Sequence, residues 1–239
     1  MKSITELYLI GKGPSSSHTM GPEKAAKLFL SEHSEADRFA VRLYGSLALT
    51  GMGHGTDRVL TETLGRDRTE IEMIPTAPFE LAHPYTMDLQ AFCGKRQTGF
   101  MRVRSIGGGA IEIDGRPTPP SEQCYPHTSF AEISSYCRKN RLTLPEYVGQ
   151  FEKSGWRDYL SEVLEVMRAA VARGIVAKGI LPGNLGVTRK AALLYCRPIP
   201  NELPETREMR LRSAYAYAVS EENAAGGVIC TAPTCGACG

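Results

Sequence analysis

Two hydrophobic periodicities divide the chain. Early on, Ala25, Ala26, Leu28 and Phe29 fall at helical spacing after Pro22, a residue suited to a helix's first turn. Phe39, Val41 and Leu43 then alternate with Arg38, Ala40 and Arg42, as in a half-buried strand. Val59, Leu60, Thr63 and Leu64 predict a short helix capped by Thr56 or Asp57. Segments 71–74, 100–106 and 111–113 read as further strands. These elements suffice for one sheet covered by helices, so the predicted fold class is α+β.

The later pattern is helical. Pro117, Pro119 and Pro120 exclude both helix and central strand, which places a linker there. Leu160, Val163, Leu164, Met167, Ala170, Val171 and Ile175 then share one helical face, with Gly179 and Pro182-Gly183 predicted to end that helix. A further helix is predicted from about Pro204 to Ala225. Its portion 214–220 is apolar nearly all round, the mark of a buried helix.

Composition narrows the class without naming a function. The 239 residues suit one large domain or two small ones, and 42% hydrophobic with 23% charged residues is the balance of a globular protein. A net charge of +2 gives no reason to expect nucleic acid or an anionic membrane as partner. No apolar run is long enough to span a bilayer, and the N-terminus lacks a signal-peptide core, so a cytoplasmic protein is expected. Seven scattered cysteines do not resemble a disulfide framework. Cys93, Cys124, Cys137 and Cys196 read as small buried apolar residues.

Chemistry concentrates in loops. Gly13-Pro-Ser-Ser-Ser-His-Thr-Met-Gly-Pro22 gathers hydroxyls just before a helix, where a carboxylate or phosphate would be welcome; a Ser-rich loop can serve as a helix cap alone, but three serines plus His18 exceed what a cap requires. Tyr44 to Asp57 places His54 among alternate glycines. That suits an accessible proton carrier, or equally a glycine-rich hairpin with an incidental histidine. Ile106-Gly-Gly-Gly109 reads as a bulge or packing corner. The basic residues at Arg189-Lys190 could hold an anion or simply face solvent. Glu221, Glu222 and Asn223 end an apolar helix and need partners if buried. Cys235 and Cys238 form one C-x-x-C pair, too few ligands for a zinc site by itself.

In this order, these pieces resemble the iron–sulfur-dependent L-serine dehydratases (L-serine ammonia-lyases). The segments 13–22, 44–48 and 53–57 resemble the signatures of that family's β domain, and Ser105-Ile-Gly-Gly-Gly109 its closing strand. Segments 179–192, 217–227 and 231–239 resemble the opening of its helical α domain. The resemblance implies a β domain over residues 1–116, a linker region over 117–145, and the truncated start of a mainly helical catalytic domain over 146–239. It also implies L-serine as substrate, deaminated to pyruvate and ammonia with a [4Fe–4S] cluster as Lewis acid.

The resemblance assigns His18 and His54 as base or proton-relay candidates, unranked. It assigns Ser15, Ser16, Ser17 and Thr19 to the substrate carboxylate, with Asn223 and Thr234 lining the site. Cys238 is the implied cluster ligand and Cys235 a weaker one. Two further ligands would lie beyond Gly239, so a fragment without activity of its own is expected, and apolar surface near 214–219 is expected to be open. A homo-oligomer is left open. Three other classes stand beside this one. A serine-binding regulatory module would bind serine without iron. A zinc or redox dithiol protein would rest on Cys235 and Cys238. A pyridoxal-phosphate enzyme would need a lysine near a glycine-rich phosphate loop, and no such setting is evident.

Overall fold

The computed structural model describes residues 1–76, 81, 83–117 and 123–231. They fall into two compact units. Residues 1–10, 119–166 and 230–239 contribute the first and 11–118 and 167–229 the second, in each case through their described residues. In chain order the elements are β1 (Ile10–Lys12), α1 (Gly21–Glu32), β2 (Arg38–Tyr44), α2 (Ser46–Thr50), α3 (Thr56–Leu64), β3 (Thr69–Ile74), β4 (Thr86–Cys93), β5 (Arg96–Gly107) and β6 (Ala110–Ile113). There follow α4 (Phe130–Asn140), α5 (Leu144–Phe151), α6 (Trp156–Gly174), α7 (Ala191–Cys196), α8 (Pro204–Ala224) and β7 (Val228–Cys230). The class is α+β.

The larger unit is built on a five-stranded sheet in the order β3-β2-β4-β5-β6. The β2–β3 pair is parallel, and the remaining pairs are antiparallel. Alternation along β2 sends Phe39, Val41 and Leu43 to one face, where Val41 stands opposite Leu89 of β4, and Leu89 opposite Met101 of β5. On that face α1 supplies Ala25, Ala26 and Phe29, and α3 supplies Val59, Leu60 and Leu64, to one continuous core. The predicted α1, β2, α3, β3, β5 and β6 are all present.

The opposite face carries charge. Arg42 pairs with Glu72 across β2–β3 at 2.7 Å, and Arg102 grips Asp88 with two bonds of 2.7 and 2.8 Å. Asp88 is 3% exposed and also accepts the Tyr44 hydroxyl at 2.9 Å. Burial, then this bond, raises the Tyr44 pKa. Strand β4 was not predicted. Its residues 86–89 are buried on both faces, so no alternation marks it, and a buried aspartate interrupts its apolar run.

Several expectations need correction. The α3 N-cap is Gly55, not Thr56 or Asp57, because the Thr56 hydroxyl is directed to another loop. Helix α6 ends not at Gly179 but at Gly174, and a Cβ on Gly174 would lie 2.3 Å from the Ala218 carbonyl oxygen. Of its predicted apolar face Val163 and Ala170 are buried, while Leu164 and Met167 are exposed. Residues 214–220 are not buried all round. Ala214 and Ala218 face inward with Glu221 and Glu222, and Tyr215 and Tyr217 are exposed. Cys137 is buried as expected and Cys124 half-buried, but Cys93, at a strand end, and Cys196, at a helix end, are exposed. The Gly108-Gly109 pair forms the β5–β6 hairpin turn with both φ angles positive, beside a register shift at Ser105/Gly107.

In the smaller unit, α4 and α5 each begin with a reciprocal capping box, Ser129 with Glu132 and Thr143 with Glu146. Helix α4 thus occupies part of the 117–145 stretch expected as linker. Tyr125, Cys137 and Tyr147 form this unit's apolar centre. No helix among the described residues is long and apolar enough to cross a membrane.

Replacing Asp88 by Ala leaves Arg102 and Tyr44 without their shared acceptor. Urea unfolding is expected to show a loss of about 1–3 kcal/mol, and an unchanged midpoint would contradict the role assigned to this carboxylate.

Candidate active site

The site is assembled where two loops meet at one end of the sheet. The first is the serine-rich segment preceding α1. Gly21 donates its N–H to the Ser16 carbonyl five residues back, so Ser16–Met20 forms one wide π turn. The turn closes because the Ser15 side chain accepts from the His18 N–H at 3.2 Å. The second loop leaves β2 through Gly45, whose φ of +53° favours glycine. It forms α2 and returns into α3 past His54.

Two buried hydroxyls interlock these loops. Thr19, 1% exposed, donates to the His54 carbonyl at 2.9 Å. Thr56, fully buried, donates to the His18 carbonyl at 2.6 Å. The arrangement is reciprocal, and each loop satisfies the other's histidine carbonyl. It brings the imidazoles of His18 and His54 into a stack with centroids 4.5 Å apart and 21° between planes. Tyr85, immediately before β4, meets the His18 ring edge-on at 5.1 Å, and His83 lies 5.7 Å from the Tyr85 ring.

Hydroxyls surround His18. Ser15 and Ser17 oxygens lie 3.3 and 3.1 Å from Nδ1, and Ser46 and Thr50 oxygens lie 3.2 and 2.9 Å from Nε2. Burial is the main cause of a lowered His18 pKa, and the neighbouring His54 lowers it further, against a weaker raising effect from the Ser46 backbone. His54 is half-buried and its Nδ1 lies 2.8 Å from the Thr50 carbonyl oxygen. A carbonyl only accepts, so Nδ1 carries the proton, and Nε2 of the neutral ring is a lone pair with no hydrogen-bond partner among the described residues. The pair thus contains one ring enclosed by hydroxyls and one ring with an uncommitted nitrogen among the described residues.

The other expected residues are distributed as follows. Ser15, Ser16 and Ser17 lie on the turn with His18, and only the Ser16 hydroxyl is uncommitted among the described residues. Thr19 has its hydroxyl engaged at His54. Asn223 donates its side-chain N–H to the Pro14 carbonyl at 3.3 Å, at the start of the same turn. Glu221 and Glu222 find partners in the protein, at the Lys190 and Ala191 N–H groups and at Arg173 and Arg189. Ser46, Thr50, Tyr85 and His83 were not singled out from sequence. The alternate-glycine stretch contained Ser46 and Thr50, but nothing in a hydroxyl at helical spacing marks it as a histidine ligand.

Thr234, Cys235 and Cys238 lie outside the described residues. Among the described residues no three His, Cys, Asp or Glu side chains converge to hold a metal. The described residues do not form an iron–sulfur ligand set, and what they do form is a stacked histidine pair ringed by hydroxyls.

The described geometry is thus a pair of stacked histidines set against a serine-rich turn in an α+β unit. Residues 3–77 match the family model of the serine dehydratase beta chain. The chain is 33% identical to L-serine dehydratase 2 of Escherichia coli (strain K12) over 291 aligned residues, covering 100% of this chain and 64% of the relative. It is 32% identical to an L-serine dehydratase of Haemophilus influenzae, with the same coverage. A Streptomyces coelicolor L-serine dehydratase is 33% identical, with 99% and 64% covered. The chain is similar to these L-serine dehydratases along nearly all of its own length, and it spans 64% of theirs.

Two outcomes follow from the geometry. Thr56→Val removes the donor from the His18 carbonyl and is expected to cost about 1–3 kcal/mol, read by chemical denaturation. The His18 resonances are expected to titrate with a midpoint below the ordinary value of about 6.5. His54→Ala should move that midpoint only partway up, because burial is the larger cause. The unfolded chain takes up this proton before the folded one does. The contribution of His18 to stability is therefore fully present above about pH 6.5 and is lost as pH falls through the folded pKa.

Proposed function

We propose that the chain binds L-serine at the serine-rich turn and removes its α-proton with His54, as part of a dehydration that yields pyruvate and ammonia. The observation that carries this reading is the uncommitted Nε2 of a ring held at its other nitrogen. The serine α-proton is weakly acidic, so an effective base must be close and already oriented. His54 meets the second condition through the Thr50 carbonyl.

Ser15, Ser16 and Ser17 present hydroxyl donors to the substrate carboxylate, with Ser16 the readiest because no group among the described residues competes for it. His18 stays neutral behind them. Thr19 holds the His54 turn, and Asn223 lines the start of the serine-rich turn. Loss of the α-proton and β-hydroxyl gives aminoacrylate, which tautomerises to an imine, and water then releases ammonia and pyruvate. The family resemblance assigns departure of the hydroxyl to a [4Fe–4S] cluster with Cys238 as a ligand. In this reading the described residues supply substrate binding and proton transfer.

Pyruvate release from L-serine, assayed without oxygen in the native protein, tests the reading. His54→Ala should lower kcat by about 10²–10⁴-fold with an unchanged thermal midpoint, whereas Ser16→Ala should act mainly on KM. Full kcat in His54→Ala would eliminate the proposed base. Serine binding that perturbs the histidine resonances, without any pyruvate, would favour a binding module instead.

A further inference from the structure

Both stacked histidines depend on one residue outside the expected site. Thr50 ends α2. Its hydroxyl oxygen lies 2.9 Å from His18 Nε2 and 2.9 Å from the Ser46 carbonyl oxygen. Its own carbonyl oxygen lies 2.8 Å from His54 Nδ1. A threonine hydroxyl has one proton, and the Ser46 carbonyl can only accept. Both contacts are hydrogen bonds at once only when the hydroxyl proton goes to the Ser46 carbonyl and the Thr50 oxygen accepts from His18 Nε2. In that arrangement Nε2 carries the proton. His18 Nδ1 is then the lone pair, turned to the hydroxyls of Ser15 and Ser17. The carbonyl of the same residue requires the opposite choice at His54, with the proton on Nδ1 and the lone pair on Nε2.

We propose that Thr50 is a positioning residue that sets both tautomers: its hydroxyl holds His18 as the Nε2–H form and its carbonyl holds His54 as the Nδ1–H form. The two rings then offer different nitrogens as acceptors. His18 turns its lone pair to the serine hydroxyls and keeps their protons organised. His54 keeps its Nε2 lone pair without a hydrogen-bond partner among the described residues. The significance for turnover rests on His54 being the base, while the tautomers themselves do not. The competing arrangement has the Ser46 hydroxyl, 3.2 Å from Nε2, donating to His18 instead, which would place the His18 proton on Nδ1.

The two arrangements separate by nitrogen NMR of the chain with ¹⁵N-labelled histidine, at a pH well above the ordinary histidine value of about 6.5. The expected wild-type spectrum has His18 as a single Nε2–H tautomer and His54 as a single Nδ1–H tautomer. Thr50→Val should lose the single His18 tautomer and leave His54 unchanged, because the carbonyl remains. Thr50→Ser should restore the wild-type spectrum, which a merely steric role for the side chain would not require. His18 observed as Nδ1–H, or unaltered by Thr50→Val, would overturn the proposal, as would Thr50→Ser behaving like Thr50→Val. None of these readouts needs turnover. Failure of the tautomer assignment is thus distinguishable from failure of the serine reading, which His54→Ala kinetics decide separately.

Discussion

The exchange of hydroxyls between Thr19 and Thr56 is the contact on which the site depends. A carbonyl withdrawn from water costs free energy unless it is paired. Here the carbonyls of His18 and His54 are each paired by a threonine from the other's loop. Neither loop can take its observed path alone without leaving a histidine carbonyl unsatisfied. The lock is placed where helices begin, since α1 follows Thr19 by two residues and Thr56 is the first residue of α3. The apolar faces of those two helices form the core over the sheet. Core packing and ring stacking are therefore set by the same pair of bonds.

The sheet determines where the rings end up. Strand β2 stops at Tyr44, and Gly45 lets the chain turn into α2, with the Ser46 N–H donating to the Pro84 carbonyl at 2.9 Å. Tyr85 then leads directly into β4, and its carbonyl accepts the Ser105 N–H of β5 at 3.0 Å. Thr50, His54, Tyr85 and the serine-rich turn thus gather at the end of β2 and β4. On the charged face, Asp88 binds a side chain from each neighbouring strand, Tyr44 of β2 and Arg102 of β5. A shift of register by one residue would move this carboxylate into the apolar core, so the buried ionic cluster specifies the alignment that the site requires.

The legible parts of the molecule were those in which one physical signal dominates. Phe39, Val41 and Leu43 alternate cleanly because β2 has one apolar and one charged face. Serines clustered before Pro22, and His54 between glycines, pointed to the two loops because few structural needs concentrate such residues. Strand β4 was hidden for the opposite reason: with both faces buried, Met87, Asp88 and Leu89 show no period. The tyrosines of α8 misled because residue type alone cannot say which side of a helix faces water, and it is the glutamates that turn inward. The histidine contacts of Ser46, Thr50 and Tyr85 were not legible because they join residues 28 to 67 positions apart in the chain.

Those inward glutamates also explain how a residue from the far end of the chain reaches the serine-rich turn. Glu222 is paired with Arg173 at 2.8 Å and with Arg189 at 3.5 Å, and Glu221 accepts from the N–H groups that open α7. Buried carboxylates are expensive unless paired, so each of these contacts fixes the end of α8 against a separate segment of the same unit. Asn223 follows directly, and its side chain meets Pro14. At Gly13 a Cβ would lie 2.2 Å from the Asn223 carbonyl oxygen, so only glycine permits the approach. The acidic pair therefore acts on the site indirectly, by holding the backbone that carries Asn223 against the start of the turn.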